Sequence, residues 1–383
     1  MLAPRPQGCQ GVAPRGSGAH AERLWRPVKI PTLTGMSKRP TIADVARLAG
    51  VHKATASRAL NPEADARVSA ATVRRVRTAA QELGFTPNTA ARSLRTNRSF
   101  TVGVLIPDLT NPLFPPMARG IEEVLTRRGY TALLANTDND QAKERTRFEA
   151  LRGRQVDGFI IATAQREHAL LAEAQAQGVP AVLLSRGTDP PLFPLVAADD
   201  ATGTGLAVRH LLELGHRSLA HLAGPQTLST GAIRTRAFQH AVQAAGIAAD
   251  RAPVLVSEAY SVRAGEQAAR ELLDRHPGTT AIVAGNDLIA LGALHVLRER
   301  GLRCPQDVSL VGYNDMQFAD EFQPPLTTVH VPHLELGAEA ARLLLEQLER
   351  PDGRAGAQVA AAAKTVLLPV RLVVRDSTAA PRA

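Results

Sequence analysis

The sequence predicts an α/β protein in two parts: an all-α helix-turn-helix headpiece with a hinge helix, then a two-lobed, doubly wound body. Three observations carry this. Two short amphipathic helical patterns flank Gly50. From Phe100 onward, short apolar runs alternate with helical patterns to near the C-terminus. Finally, the excess of basic residues is gathered at one end of the chain rather than spread over it.

Residues 1–35 are rich in Pro, Gly and Arg and hold no apolar core of the kind a secretory signal needs. They read either as a disordered basic arm or as sequence upstream of a true start at Met36. The second reading is favoured.

The headpiece spans residues 36–86. Ile42, Val45, Ala46 and Ala49 fall at i, i+3, i+4 and i+7 and form one apolar stripe. Thr41 with Asp44 three residues on reads as a capping-box-like start, and Gly50 as the stop. A second helix follows with Ala56, Ala59 and Leu60 inward and Lys53, Thr55, Ser57 and Arg58 outward. Ser69 caps a third, whose stripe is Val73, Val76, Ala79, Ala80 and Leu83. Such a pair around a Gly turn is the form of a helix-turn-helix, or of a surface hairpin with solvated cations.

Charge favours the first. Residues 36–99 hold 12 basic against four acidic residues, a net of +8, and residues 1–35 add +4. The remainder carries −3 of the total of +9. A basic head on a near-neutral body is the footprint of a polyanion-binding module joined to something else.

From Thr41 to Leu94 the residues resemble the headpiece and hinge of lac-repressor-type (LacI/GalR) bacterial transcription regulators. The resemblance continues to about Val374 through Val104-Leu105-Ile106-Pro107-Asp108, Asn136-Thr137-Asp138, Leu214-Gly215-His216-Arg217, Gly285-Asn286-Asp287 and Pro324-Pro325-Leu326-Thr327-Thr328. It implies a role for each matching position. Lys53, Ala54 and Arg58 would read base edges in the major groove, Arg58 suiting guanine and Ala54 only a thymine methyl. Thr41, Thr55, Ser57 and Asn61 would hold phosphates. His52 departs from the pattern, standing where a Ser commonly caps the recognition helix. Residues 87–99 would form the hinge, which Asn88 opens as a DNA-contacting residue. Leu94 would be the wedge inserted into the minor groove.

In the body, residues 100–383, apolar runs at 102–106, 132–135, 158–162, 181–184, 219–222, 254–256, 281–284 and 308–311 read as strands. Helical patterns between and after them include 117–128, 201–214, 230–245, 262–275, 288–300 and 334–348. Residues 365–374 read as a returning strand. Alternation of this length implies parallel, doubly wound sheets in two lobes, which is similar to periplasmic sugar-binding proteins. The resemblance places Phe114, Ser185, Arg234, Tyr260, Asn286 and Asn314 in an effector cleft between the lobes. Ser185 and Asn314 stand where sugar-responsive members often have Asp, which weakens the case for a neutral monosaccharide and admits an acidic effector.

Other classes fare poorly. Cys9 and Cys304 have no CxxC spacing and fit a reducing compartment. No run approaches the roughly 18 apolar residues of a membrane span. Gly203-Thr204-Gly205 lacks a third glycine for dinucleotide binding, and His216 and His221 lack metal-ligand spacing. The sequence therefore predicts no enzyme, no cofactor and no metal. It predicts a cytoplasmic, nucleoid-associated, dimeric regulator, most simply a repressor. Its partners would be double-stranded operator DNA and a small-molecule effector, a sugar or sugar acid. The rival is a small-molecule binding protein of a transport system, which would leave the basic head unexplained.

Overall fold

A computed structural model describes residues 40–60, 68–85, 98–349 and 364–382. The chain divides into two compact units, Met1–Asn88 and Thr89–Ala383.

In the first unit, α1 (Ile42–Leu48), α2 (Lys53–Ala59) and α3 (Ala70–Glu82) enclose a core of Val45, Ala46, Ala49, Ala56, Ala59, Val73, Val76, Ala79 and Ala80. Small alanines at most of these sites let three short helices approach closely. The expected capping box is formed: the backbone N–H of Thr41 donates to Asp44 Oδ2 at 2.9 Å and that of Asp44 to Thr41 Oγ1 at 3.4 Å. The Thr41 hydroxyl, which donates to Asp44 Oδ2 at 2.7 Å, and the Thr41 backbone N–H, with the Arg47 charge, hold the Asp44 carboxyl below its usual range. Between α1 and α2, Gly50 takes φ +62°, the left-handed conformation that ends the first helix. His52 does cap α2, its Nδ1 accepting from the Ala54 N–H at 3.3 Å. The residue that departs from the expected Ser thus satisfies one of the helix's orphan donors with a ring nitrogen.

The second unit holds two six-stranded sheets. In the first, β1 (Thr101–Ile106), β2 (Thr131–Asn136), β3 (Gly158–Ile161), β4 (Ala181–Leu184), β5 (Leu195–Ala198) and β11 (Thr365–Leu368) are ordered β11-β5-β4-β3-β1-β2, all parallel. The second contains β6 (Leu219–Ala223), β7 (Val254–Val256), β8 (Ala281–Ala284), β9 (Ser309–Asn314), β10 (Thr327–His330) and β12 (Arg371–Val373). Its order is β12-β10-β9-β8-β6-β7, with only β12 antiparallel.

Both faces of each sheet are covered, so strand residues alternate between two cores. In the N-terminal lobe, Val102, Val104, Ile160 and Val182 pack toward α4 (Phe114–Arg127) and α11 (His333–Leu348). Leu105, Phe159, Ile161 and Leu183 pack toward α5 (Gln141–Gly153) and α6 (Ala169–Ala176). In the C-terminal lobe, Leu219, Val283, Val311 and Tyr313 meet α7 (Asp200–Glu213) and α8 (Ser229–Ala244). Leu222, Ile282 and Leu310 meet α9 (Val262–Arg275) and α10 (Asp287–Glu299).

The chain passes between lobes three times: from β5 to α7, from β10 to α11, and from β11 to β12. The last passage corrects the single returning strand expected at 365–374. Pro369, which cannot donate to a ladder, interrupts the run. The two halves then join different sheets. The sequence patterns also left out β5, β10, α5 and α6. β10 holds a single apolar residue, Val329, β5 directly follows the proline-rich stretch 190–194, and α5 carries just two large apolar residues, Phe148 and Leu151, both buried.

Candidate DNA-reading face and effector cleft

On α2 the outward side chains are those the sequence singled out. Lys53, Ala54, Ser57 and Arg58 are exposed, as is Thr41, while Thr55 is half-buried and Ala56 and Ala59 face the core. None of Lys53, Thr55, Ser57 and Arg58 has a side-chain hydrogen bond or ion pair among the described residues. This surface therefore presents two cations and two hydroxyls that the fold leaves uncommitted. Asn61, Asn88 and Leu94, together with most of the hinge, lie outside the described residues.

The body's polar cluster sits at the carboxyl ends of the strands, where ligands bind in open parallel sheets. A cleft there is lined by Ser185, Arg186, Ala198, Asp200, Thr230, Arg234, Tyr260, Asn286 and Asn314, with Asn111, Leu113, Met117, Val331 and Leu336. Five of the six expected residues are thus brought together. Phe114 is not among them. Its ring is 2% exposed in the core at the start of α4, and its neighbours Leu113 and Met117 line the cleft instead.

Each cleft residue is held by local structure. Ser185 follows β4 with φ +68°, and Asn314 ends β9 with φ +114°; both strained positions lie at the cleft wall. Asn286 caps α10, its Oδ1 accepting from the Ile289 N–H at 2.9 Å. Tyr260 donates its hydroxyl to Thr230 Oγ1 at 3.1 Å. Its ring lies so close to Gly224 that a Cβ there would strike it, so Gly224 creates the slot that Tyr260 occupies.

Arg234 differs from its expected role of clamping a ligand. Its Nε donates to Asp200 Oδ1 at 2.9 Å, with Nη2 in ion-pair contact with the same oxygen at 2.8 Å, and Nη1 donates to the Gly285 carbonyl at 2.6 Å. The guanidinium carbon also lies 3.6 Å from the centre of the Tyr313 ring. Burial alone pushes the Arg234 pKa down; the adjacent Asp200 charge overrides it and keeps the guanidinium protonated. Asp200 is the carboxylate that the sequence reading missed, because it opens a helix at a lobe crossing rather than ending a strand. Arg186 was missed as well, although it directly follows Ser185.

The lobes also touch beside the cleft. The Arg166 N–H donates to the Thr227 carbonyl at 2.9 Å, and the Gly187 N–H to Ser229 Oγ at 2.9 Å. Away from the cleft, His216 is committed to Thr280, Ser309 and the carbonyl of Ala379. His221 lies in β6 with its Nδ1 on the Val283 carbonyl. Both bind the sheet together.

Comparison with known proteins matches each unit. Residues 41–88 match "Bacterial regulatory proteins, lacI family", and residues 99–370 match "Periplasmic binding proteins and sugar binding domain of LacI family". The regulator DegA of Bacillus subtilis is 35% identical over 345 residues, covering 89% of this chain and 98% of its own. The ribose operon repressor of Halalkalibacterium halodurans is 35% identical over 338 residues, with 88% and 97% covered. Among solved structures, the lac repressor dimer bound to operator and an anti-inducer is similar with a TM-score of 0.75 and 30% identity. That likeness covers 90% of this chain and all of the repressor's.

Proposed function

This chain belongs to the lacI family of bacterial regulatory proteins, and from that premise we propose that it works as a dimeric, effector-controlled transcriptional repressor. The observation that carries this reading is the presence in one chain of two complementary sites. One is an exposed, uncommitted basic face on α2; the other is a buried polar cleft built by both lobes. A transport binding protein would need only the second.

Two heads of a symmetric dimer would engage the halves of a pseudo-palindromic operator. In each, Lys53 and Arg58 read base edges, with Ala54 against a thymine methyl, while Thr41, Thr55, Ser57 and Asn61 fix register on phosphates. Asn88 and Leu94 belong to the hinge, where Leu94 wedges the minor groove. In the body, Ser185, Arg234, Tyr260, Asn286 and Asn314 surround the effector, a sugar or sugar acid, with Arg234 acting as the wall's fixed support. Phe114 backs the wall from the core.

Ligand held between the lobes stabilises one lobe arrangement over another. It shifts DNA affinity only by its difference in affinity for those two arrangements. The site of action is the cytoplasm, at the nucleoid.

The test is a titration of the purified chain against a palindromic fragment from upstream of its own gene, at moderate salt. The proposal predicts saturable binding that a scrambled fragment does not compete away. Equal affinity for both fragments contradicts it. In the same assay Leu94→Ala is expected to lose specific binding and keep non-specific affinity, because a wedge acts only at the correct step.

A further inference from the structure

Two guanidinium groups line the cleft, and only one of them has a carboxylate. Arg234 is fully engaged by Asp200 and Gly285. Asp200 is the only acidic residue among the described cleft-lining residues. Arg186, at the end of β4 on the opposite lobe, is only 6% exposed, and its side chain makes no hydrogen bond or ion pair among the described residues. The charged or ionisable groups that act on it are Tyr260 and Arg234, and Arg234 is itself a cation. Burial depresses the Arg186 pKa, with Tyr260 opposing that effect and Arg234 adding to it.

A buried, unpaired cation is costly, and a guanidinium cannot escape the cost by losing its proton. The remaining cleft groups point the same way. The Ser185 hydroxyl and the Asn314 side chain form no hydrogen bond among the described residues, and the Asn286 amide NH2 donates to none of them. Around Arg186, then, the cleft offers uncommitted donors and no free carboxylate. A neutral polyol would give hydroxyls to these groups but would leave the guanidinium charge uncompensated. An oxyanion satisfies both needs, and Arg is the side chain best shaped to grip one.

We infer that the effector is an anion whose carboxylate or phosphate group pairs with Arg186. This rests on the cleft being the effector site and adds the ligand's chemical class. The effector is thereby a sugar acid or a sugar phosphate rather than the neutral sugar.

The experiment is thermal unfolding of the full chain, wild type and Arg186→Gln, titrated with D-gluconate, inorganic phosphate, D-glucose and sodium chloride at matched ionic strength. The expected result is that gluconate or phosphate raises the wild-type midpoint above the chloride and glucose controls. Arg186→Gln should weaken that response about 30-fold or more in concentration, the loss expected when one partner of a buried charge pair is removed. A response to gluconate alone identifies a carboxylate, and to phosphate alone a phosphate. The inference is overturned if neither anion outperforms chloride and glucose, or if Arg186→Gln keeps the full response. DNA binding by the same preparations separates the two levels of the account. Wild type that binds the palindrome but shows no anion-specific rise loses the anion inference alone. Wild type that shows the rise but binds no palindrome loses the regulator reading alone.

Discussion

The α2 face and the cleft both carry polar side chains for binding, but they hold them in opposite ways. Lys53, Ser57 and Arg58 stand exposed and uncommitted on a core made by other residues of the same helix. In the cleft, Asp200, Arg234, Asn286 and Asn314 are 4, 6, 3 and 7% exposed. There the binding wall is also part of the fold. The difference teaches that function and stability are separable on the head and coupled in the body. Replacing an exposed α2 residue costs affinity, whereas replacing an engaged cleft residue such as Arg234 first costs folding free energy.

The largest effect tests that coupling. Arg234→Met leaves Asp200 buried without its partner, which should lower the stability of the body by about 3–5 kcal/mol. Urea unfolding followed by a probe in the body measures this. A loss below about 1 kcal/mol, the scale of an exposed ion pair, breaks the comparison.

Acid should act on the body in the same sense. Burial pushes His221 and His333 down to about 4, against an ordinary value of 6.5. A histidine with a depressed pKa favours folding while both states are neutral. That contribution is lost as pH falls from about 6.5 through about 4, because the unfolded chain takes up the proton first. Each shift corresponds to about 3 kcal/mol. Asp287 opposes them: burial raises its carboxyl to about 7, so its contribution is present at low pH and lost as pH rises through 7. Two histidines against one carboxyl leave a net loss on acidification. His333→Gln should flatten the fall in urea midpoint between pH 6.5 and 4. An unchanged slope would show that His333 titrates normally in the fold.

A smaller effect belongs to the head. Thr41→Ala removes the side-chain half of the α1 capping box and should cost the head about 1 kcal/mol. The unfolding of the body should stay where it was, since the two are separate compact units. A shift of both transitions would contradict this independence.

Much of this was legible in the sequence. The head's helices, their caps and their stripes follow from periodicity and local hydrogen bonding, which act over a few residues. Strand positions were legible where an apolar run stood out from its surroundings, and failed at β10, where Val329 is the one apolar residue among Thr327, Thr328 and His330, and at β5, which directly follows the proline-rich stretch 190–194. The cleft was legible as a set of strand-end residues but not as an electrostatic arrangement. Nothing local in the sequence joins Asp200 to Arg234, 34 residues apart, or leaves Arg186 without a partner. Phe114 shows the same limit from the other side. Helix α4 turns its ring inward and presents Leu113 and Met117 to the cleft, one residue before it and three after. Sequence pattern locates the elements, while tertiary contacts decide which side chain of each faces the ligand.

The most direct measurement of the central claim is the affinity of wild type and Arg58→Ala for the palindromic site and for a scrambled duplex, with thermal midpoints recorded alongside. An exposed, uncommitted base-reading arginine predicts that Arg58→Ala loses about 1–3 kcal/mol of discrimination between the two duplexes. The unfolding midpoint should not change. A fall in affinity that is equal for both duplexes, or a head that unfolds at lower temperature, would contradict the assignment of α2 as a sequence-reading face.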